Sequence, residues 1–140
     1  MRDYVIVSDA TLDLPYSVIT EHNIRVIPMG VDIDDVAYNY HPDEKELSID
    51  FFYSRLRAGA NTHTTQITPP IFKEYFKNIL EEGLDILYIG FSSGLSNTYY
   101  AAQMVVEELS GKYPDRKIYC IDSKCASIGE GLLVLHAAMQ

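Results

Sequence analysis

Three stretches of the chain share one form: a short apolar run that ends in Ser or Asp and opens toward a helix. They are Tyr4–Val7 followed by Ser8-Asp9, Ile86–Phe91 followed by Ser92-Ser93, and Ile118–Ile121 followed by Asp122-Ser123. Strands that alternate with helices predict an α/β fold: a three-layer sandwich of a mostly parallel sheet with helices on both faces. In an open parallel sheet, ligands bind outside the carboxyl ends of the strands. The repeated hydroxyl and carboxylate endings therefore locate a site without identifying its ligand.

Helix signals fill the intervals. Asp13 is placed to cap a helix whose first turn holds Pro15, with Leu14, Val18 and Ile19 inward and Asn23 as the stop. Residues 24–40 are β-rich, with Asp34-Asp35 as a turn in the middle. Ser48 starts a helix that runs through Arg57, with Phe52 and Leu56 inward and Gly59 closing it. Residues 61–66 read as a polar, Thr-rich loop. Thr68 then caps a helix with Pro69 at its first position. Its apolar stripe is Ile71, Phe72, Tyr75, Phe76, Ile79 and Leu80, and Gly83 ends it. The near-continuous apolar run from Asp85 to Phe91 predicts a strand buried on both faces. A helix to about Leu109 follows, with Ala102, Val105, Val106 and Leu109 inward and Gly111 as terminator. Residues 117–122 form the next strand. A last helix begins near Ile128 and is apolar on most sides, which predicts that other structure covers it. That uncovered helix predicts that residues 1–140 are one domain, truncated within the helix that would lead to a second, or else a natural 140-residue protein that dimerises through this helix.

Composition narrows the partners. Eleven Lys and Arg face 20 Asp and Glu, a formal net charge of -9, so neither nucleic acid nor an anionic membrane has the basic patch it needs. No apolar run approaches the ~18–20 residues of a membrane span. Cys120 and Cys125 are the only cysteines. Two thiols without a secretory leader fit a reducing cytoplasm, and neither has zinc-ligand spacing. Asp9, Asp13 and Asp122 are most simply a helix cap and acceptors for loop N–H groups rather than metal ligands. No P-loop or G-x-G-x-x-G is present, and no cofactor is implied.

The loop from Ser92 to Thr98 carries the clearest chemistry. The first N–H groups of the following helix have no internal partner, and the helix dipole favours negative charge there. Ser92, Ser93 and Ser96 add hydroxyls, and Gly94 admits close backbone approach. These are the parts of a carboxylate or phosphate site. An ordinary helix start, capped by Ser96 with the other serines solvated, uses the same residues. Gly90-Phe91-Ser92-Ser93-Gly94 also matches the nucleophile elbow of serine hydrolases, with Asp122 and His136 following in triad order. Three readings stand at this point: a carboxylate or phosphate site of unassigned use, a serine esterase using Ser92, and a regulatory domain for an acidic metabolite.

Four motifs then converge on one family. Ser8-Asp9-Ala10-Thr11-Leu12-Asp13-Leu14-Pro15 resembles the opening signature of the DegV family. Thr64-Thr65-Gln66-Ile67-Thr68-Pro69 resembles its Thr-Ser-Gln-Pro loop, and residues 92–99 its Ser-rich loop. Asp122-Ser123, with Ser127 and Gly129-x-Gly131-Leu132, resembles the segment entering its long connecting helix. The motifs occur in family order, with Ala10, Thr65, Ile67 and Asn97 standing where the family usually has Ser, Ser, Pro and Gly. The resemblance implies a bacterial, cytoplasmic protein of the family's EDD fold that binds one long-chain fatty acid. Such a protein presents the carboxylate to a separate fatty acid kinase subunit that makes an acyl phosphate, and is not itself an enzyme. It implies that Thr64 and Ser93 hydrogen-bond the carboxylate, with Ser92 and Ser96 close by and Asp9, Thr65, Gly94, Asp122 and Ser123 in support. Family members are roughly twice as long, and their second domain supplies basic groups and part of the lipid cavity. The piece here is therefore expected to bind lipid weakly and to self-associate through exposed apolar surface. The physics suits such a ligand: burying each CH₂ contributes ~0.8 kcal/mol, so a sixteen-carbon tail brings on the order of 10 kcal/mol before ordering costs. The hydroxyls then set orientation.

Overall fold

A computed structural model of the chain describes residues 3–140. In chain order the elements are β1 (Tyr4–Asp9), α1 (Tyr16–Glu21), β2 (Arg25–Ile27), β3 (Met29–Ile33), β4 (Val36–Tyr40), α2 (Ile49–Arg57) and β5 (Thr62–Thr65). They continue as α3 (Pro69–Glu81), β6 (Asp85–Gly90), α4 (Thr98–Lys112), β7 (Ile118–Asp122) and α5 (Ile128–Ala138). A 3₁₀ turn, Ala10–Leu12, follows β1.

The apolar runs pair as a four-stranded parallel sheet in the order β2-β1-β6-β7. Side chains alternate across a strand, so β1 and β6 each feed two cores. Val5, Val7, Ile86 and Tyr88 point toward α3 and α4, where Phe72, Phe76, Ala102, Val105 and Leu109 close the layer. Ile6 and Ile89 point the other way, toward Leu12, Leu14 and Ile19 and toward Val134 of α5. This is the expected α/β sandwich.

A second sheet accompanies it. β3, β4 and β5 form an antiparallel sheet in the order β4-β3-β5. Asp34 and Asp35 make the tight turn with φ of 49° and 65°, the geometry such a two-residue hairpin requires. Residues 61–66, expected as a loop, contain β5: Thr62–Thr65 pair with Gly30–Ile33. Threonine is a strand former whose polarity suits an exposed edge, and that polarity gave the loop reading.

Other boundaries also differ from expectation. Asp13 does not cap α1: its backbone is left-handed (φ 51°), its carboxylate accepts from the Ser127 hydroxyl, and Pro15 is the N-cap. Ser48 does cap α2, accepting from the Phe51 N–H, but Leu56 is exposed and Phe52 alone of the two packs inward. The stripe on α3 is narrower than its sequence suggests, with Ile71 and Tyr75 exposed. Thr68 is the N-cap of α3 without a side-chain bond, and Pro69 and Pro70 remove two of the first N–H groups of the helix. Gly111 does not end α4, which runs to Lys112. A lone helical Gly costs only about 1 kcal/mol, whereas Tyr113 precedes Pro114 and is pushed out of the helical region. On the α5 side, Tyr119 and Ile121 of β7 and Leu132 and Met139 of α5 are exposed. Among the described residues, no helix is long and apolar enough to cross a membrane.

Candidate ligand-binding cleft

The carboxyl ends of β1 and β6 face the end of β5 across a cleft of about 540 Å³, within the range of small-molecule sites. Its polar lining is Asp9, Thr11, Thr64, Thr65, Ser96 and Thr98. Met29, Ile67, Phe91 and Leu95 supply apolar surface beside it. The two sheets make this juxtaposition. β3 sets β5 in register, with Val31 opposite Thr64 and Gly30 opposite Thr65. A Cβ at residue 30 would lie 2.0 Å from Thr65 Oγ1, so glycine there leaves the Thr65 hydroxyl its present rotamer. At the start of α4, Ser96 Oγ accepts the Thr98 N–H at 3.2 Å, and Asn97 is the N-cap without a side-chain bond.

Asp9 anchors the floor. It is fully buried. Oδ1 accepts the Thr11 N–H at 3.1 Å and the Thr11 hydroxyl, and Oδ2 accepts the Tyr88 hydroxyl at 3.0 Å and the Phe91 N–H at 3.3 Å. Four donors on one carboxylate fix the β1 end to β6 and to the loop after it. Burial, and then the Asp9 charge, push the Tyr88 phenol well above its ordinary range, so it remains a donor. Gly90 makes room: a Cβ there would lie 2.4 Å from the Tyr88 hydroxyl oxygen.

Ser92, Ser93 and Gly94 do not line this cleft. They join a second hydrogen-bonded cluster with the end of β7. Ser92 is buried; its N–H donates to the Cys125 carbonyl at 3.0 Å, and its Oγ accepts the Gly94 N–H at 3.2 Å. A Cβ at residue 94 would make ordinary contact with Ser92 Oγ at 3.5 Å, so the loop itself does not demand glycine there. The Ser93 N–H donates to Asp122 Oδ1 at 3.1 Å, and Ser93 Oγ accepts from Lys124 Nζ at 3.2 Å. Lys124 also pairs with Asp122 Oδ2 at 2.6 Å. Against the cost of partial burial, Lys124 and Ser93 hold the Asp122 carboxyl well below the usual range. Buried Ser123 ties the following turn, accepting the Cys125 N–H at 3.1 Å. Thus Thr64, Thr65, Ser96 and Asp9 line one cleft, while Ser92, Ser93, Gly94, Asp122 and Ser123 brace the adjoining loops.

Asp9 and Asp122 accept loop N–H groups, as their positions predict. Among the described residues, no group of three His, Cys, Asp or Glu is placed to hold a metal ion. The elbow residues are separately engaged: Ser92 Oγ meets Gly94, Asp122 meets Lys124, and His136 is exposed on α5. Burial, followed by the Asp122 charge, pushes the Cys120 thiol up to about 12, the state of a packing residue rather than a nucleophile.

Sequence reasoning missed Glu130, Tyr88 and Lys124 as site residues. Glu130 is fully buried in α5, with Oε1 3.1 Å from Ser8 Oγ and Oε2 2.8 Å from Thr11 Oγ1. The available signal was a lone acid between Gly129 and Gly131 at the head of an apolar helix. Tyr88 had none, since an aromatic in a buried strand reads as core.

Comparison with known proteins matches this architecture. A relative from Clostridium perfringens, described as a DegV domain-containing protein, is 38% identical over 138 residues, covering 99% of this chain and 47% of its own length. A stearic acid-binding protein from Eubacterium ventriosum superposes with a TM-score of 0.87 at 23% identity, covering 97% of this chain and 46% of that one. A DegV-family protein from Thermus thermophilus, described by its fatty acid binding, superposes with a TM-score of 0.83 at 28% identity, covering 99% and 47%. The chain thus spans about half the length of the proteins it matches. The family model described as "Uncharacterised protein, DegV family" matches residues 3–139, and the chain belongs to the DegV family.

Proposed function

We propose that the protein binds a long-chain fatty acid in this cleft and acts as a carrier rather than an enzyme. The observation that carries the reading is the cleft's two-sided chemistry: the hydroxyls of Thr64, Thr65 and Ser96 stand beside Met29, Ile67, Phe91 and Leu95. An amphipathic ligand with an acidic head suits such a wall. A carboxylate taken from water needs several donors. These hydroxyls, with the N–H groups at the α4 start, supply them without a general base. Asp9 lies in the same wall, but its oxygens are occupied by Thr11, Tyr88 and Phe91, so it shapes the site and offers no free acceptor. The fatty-acid binding described for the two solved relatives supports the same ligand class. Through the family resemblance, Ser93 is a further head-group donor, since its hydroxyl accepts from Lys124 and keeps its own proton to give. The carrier works in the bacterial cytoplasm, presenting the bound carboxylate to a separate kinase subunit for acyl-phosphate formation.

The test uses the protein in its full natural length. Organic extraction and mass spectrometry of the purified protein should return a fatty acid in near-equimolar amount. Thr64→Ala should weaken binding of a fluorescent fatty acid by roughly tenfold, about 1.4 kcal/mol for a charge-assisted hydrogen bond lost. Ser93→Ala should lower acyl-phosphate formation with a partner kinase. Lipid-free protein that ignores fatty acids but binds a phosphate ester would overturn the reading in favour of a regulatory domain. Labelling of Ser92 by a fluorophosphonate would replace it with an esterase.

A further inference from the structure

The hydroxyl protons beneath the cleft are too few for the contacts they serve. Ser8 Oγ lies 2.8 Å from the Ile89 carbonyl oxygen and 3.1 Å from Glu130 Oε1. Thr11 Oγ1 lies against Asp9 Oδ1 and 2.8 Å from Glu130 Oε2. Each hydroxyl has one proton, whereas a carbonyl and an ionised carboxylate only accept. With both acids ionised, two of these four contacts set lone pair against lone pair in a site where Ser8, Asp9 and Glu130 are buried. One proton on Glu130 resolves the conflict. Glu130 then donates to Thr11, Thr11 donates to Asp9, and Ser8 serves Ile89, leaving only the longest contact without a proton of its own. Asp9 is the partner suited to carry the charge, because it already accepts from Thr11, Tyr88 and Phe91.

We propose that Glu130 is a positioning residue that holds a proton in the folded chain, and that this proton fastens α5 to the carboxyl end of β1 beneath the cleft. Ionised, Glu130 would face Asp9 across Thr11. The titratable groups around it are Asp9 on β1, Asp13 after the 3₁₀ turn, Tyr88 on β6 and, behind Tyr88, Cys120 on β7. The groups that act on it most strongly are two acids and two hydroxyls, with no cation among them. Gly131 removes any slack, since a Cβ there would lie 2.2 Å from the Leu12 carbonyl oxygen. Repulsion at Glu130 therefore pushes α5 away from the turn that holds Thr11, a residue of the cleft wall. Burial first, then the Asp9 charge, push the Glu130 carboxyl from 4.5 up to about 8, in the direction the proton count requires.

The consequence has a definite sign. Between 4.5 and about 8 the folded chain keeps a proton that the unfolded chain has lost. The folding equilibrium constant therefore falls about tenfold per pH unit across that window from this group and levels off above it. The experiment is a ¹³C NMR titration of the glutamate carboxyls in the chain, with Glu130 assigned through its own backbone, alongside denaturant unfolding at pH 5 to 9. The expected result is a Glu130 midpoint far above the other glutamates, with Thr11 and Asp9 signals moving in the same step. Glu130→Gln should remove the one-proton slope of stability. A midpoint near 4.5, or the wild-type slope persisting in Glu130→Gln, overturns the proposal. If that variant does not fold, the titration of the unsubstituted chain decides alone. No ligand enters either readout, so the outcome is independent of the fatty-acid reading.

Discussion

The ends of β1 and β7 each carry a carboxylate that organises a loop, and they are stabilised in opposite ways. At the inner strand, Asp9 is sealed from water beside Glu130 and gathers hydroxyl and N–H donors. At the edge strand, Asp122 takes the ammonium of exposed Lys124 together with two backbone N–H groups. Depth decides between them. An ammonium is costly to bring into a sealed site, so one member of the inner pair keeps a proton and the pair carries a single charge, while the outer acid stays ionised beside a solvated cation. One carboxyl is pushed up and the other held down, at strand ends separated only by β6.

The sharpest way to break the contrast is at the inner site. Asp9→Ala strips partners from the Tyr88 hydroxyl, from Thr11 and from the Phe91 N–H. Leaving buried donors unsatisfied costs about 1–3 kcal/mol each, partly offset by relief of Glu130, so a net loss of about 3 kcal/mol is expected in denaturant unfolding. A loss below 1 kcal/mol would mean that water or rearranged side chains replace the carboxylate. Gly131→Ala comes next. Its methyl group would meet the Leu12 carbonyl oxygen at 2.2 Å and the Leu14 side chain near 3.0 Å. Backbone cannot yield as a flexible side chain does, so α5 must shift, at about 2 kcal/mol. Hydrogen exchange should show the α5 amides losing protection ahead of those in β6.

The contrast also explains what was legible in the sequence. Hydrophobic period and helix boundaries revealed the parallel sheet, because Val5, Val7, Ile86 and Ile89 are buried whatever their neighbours do. Ser8, Asp9, Asp122 and Ser123 stood at strand ends in plain view. β5 did not, because an edge strand of Thr and His gains its order from pairing with β3 rather than from burying its own side chains. Thr64 and Ser93 were assigned together from their motifs, yet only Thr64 lines the cleft. The direction of a serine hydroxyl depends on Lys124, a residue whose left-handed backbone (φ 56°) brings its amine back over the loop. Glu130 was hidden for a related reason: its partners Ser8 and Thr11 lie 122 and 119 residues away in sequence. Local pattern reports burial well and long-range polar pairing poorly.

The gentlest test lies at the outer site. Lys124→Met removes an ammonium whose side chain is 73% exposed, and exposed ion pairs contribute little to stability. Near neutral pH, where Asp122 is ionised, the variant should be only slightly less stable than the parent. That difference should close on acidification, because a carboxyl held low stabilises the fold above its unfolded value, near 3.8, and loses that contribution as pH falls toward its folded value. Removing Lys124 raises the folded value and narrows that window, so the variant should lose less stability on acidification than the parent, and its Asp122 ¹³C carboxyl signal should titrate at higher pH. The Ser93 N–H and Lys124 N–H remain on Oδ1, so part of the depression should survive. Were the Asp122 titration unmoved, those N–H groups rather than the ammonium would hold the outer acid, and the two strand ends would differ in depth without differing in the kind of partner that stabilises them.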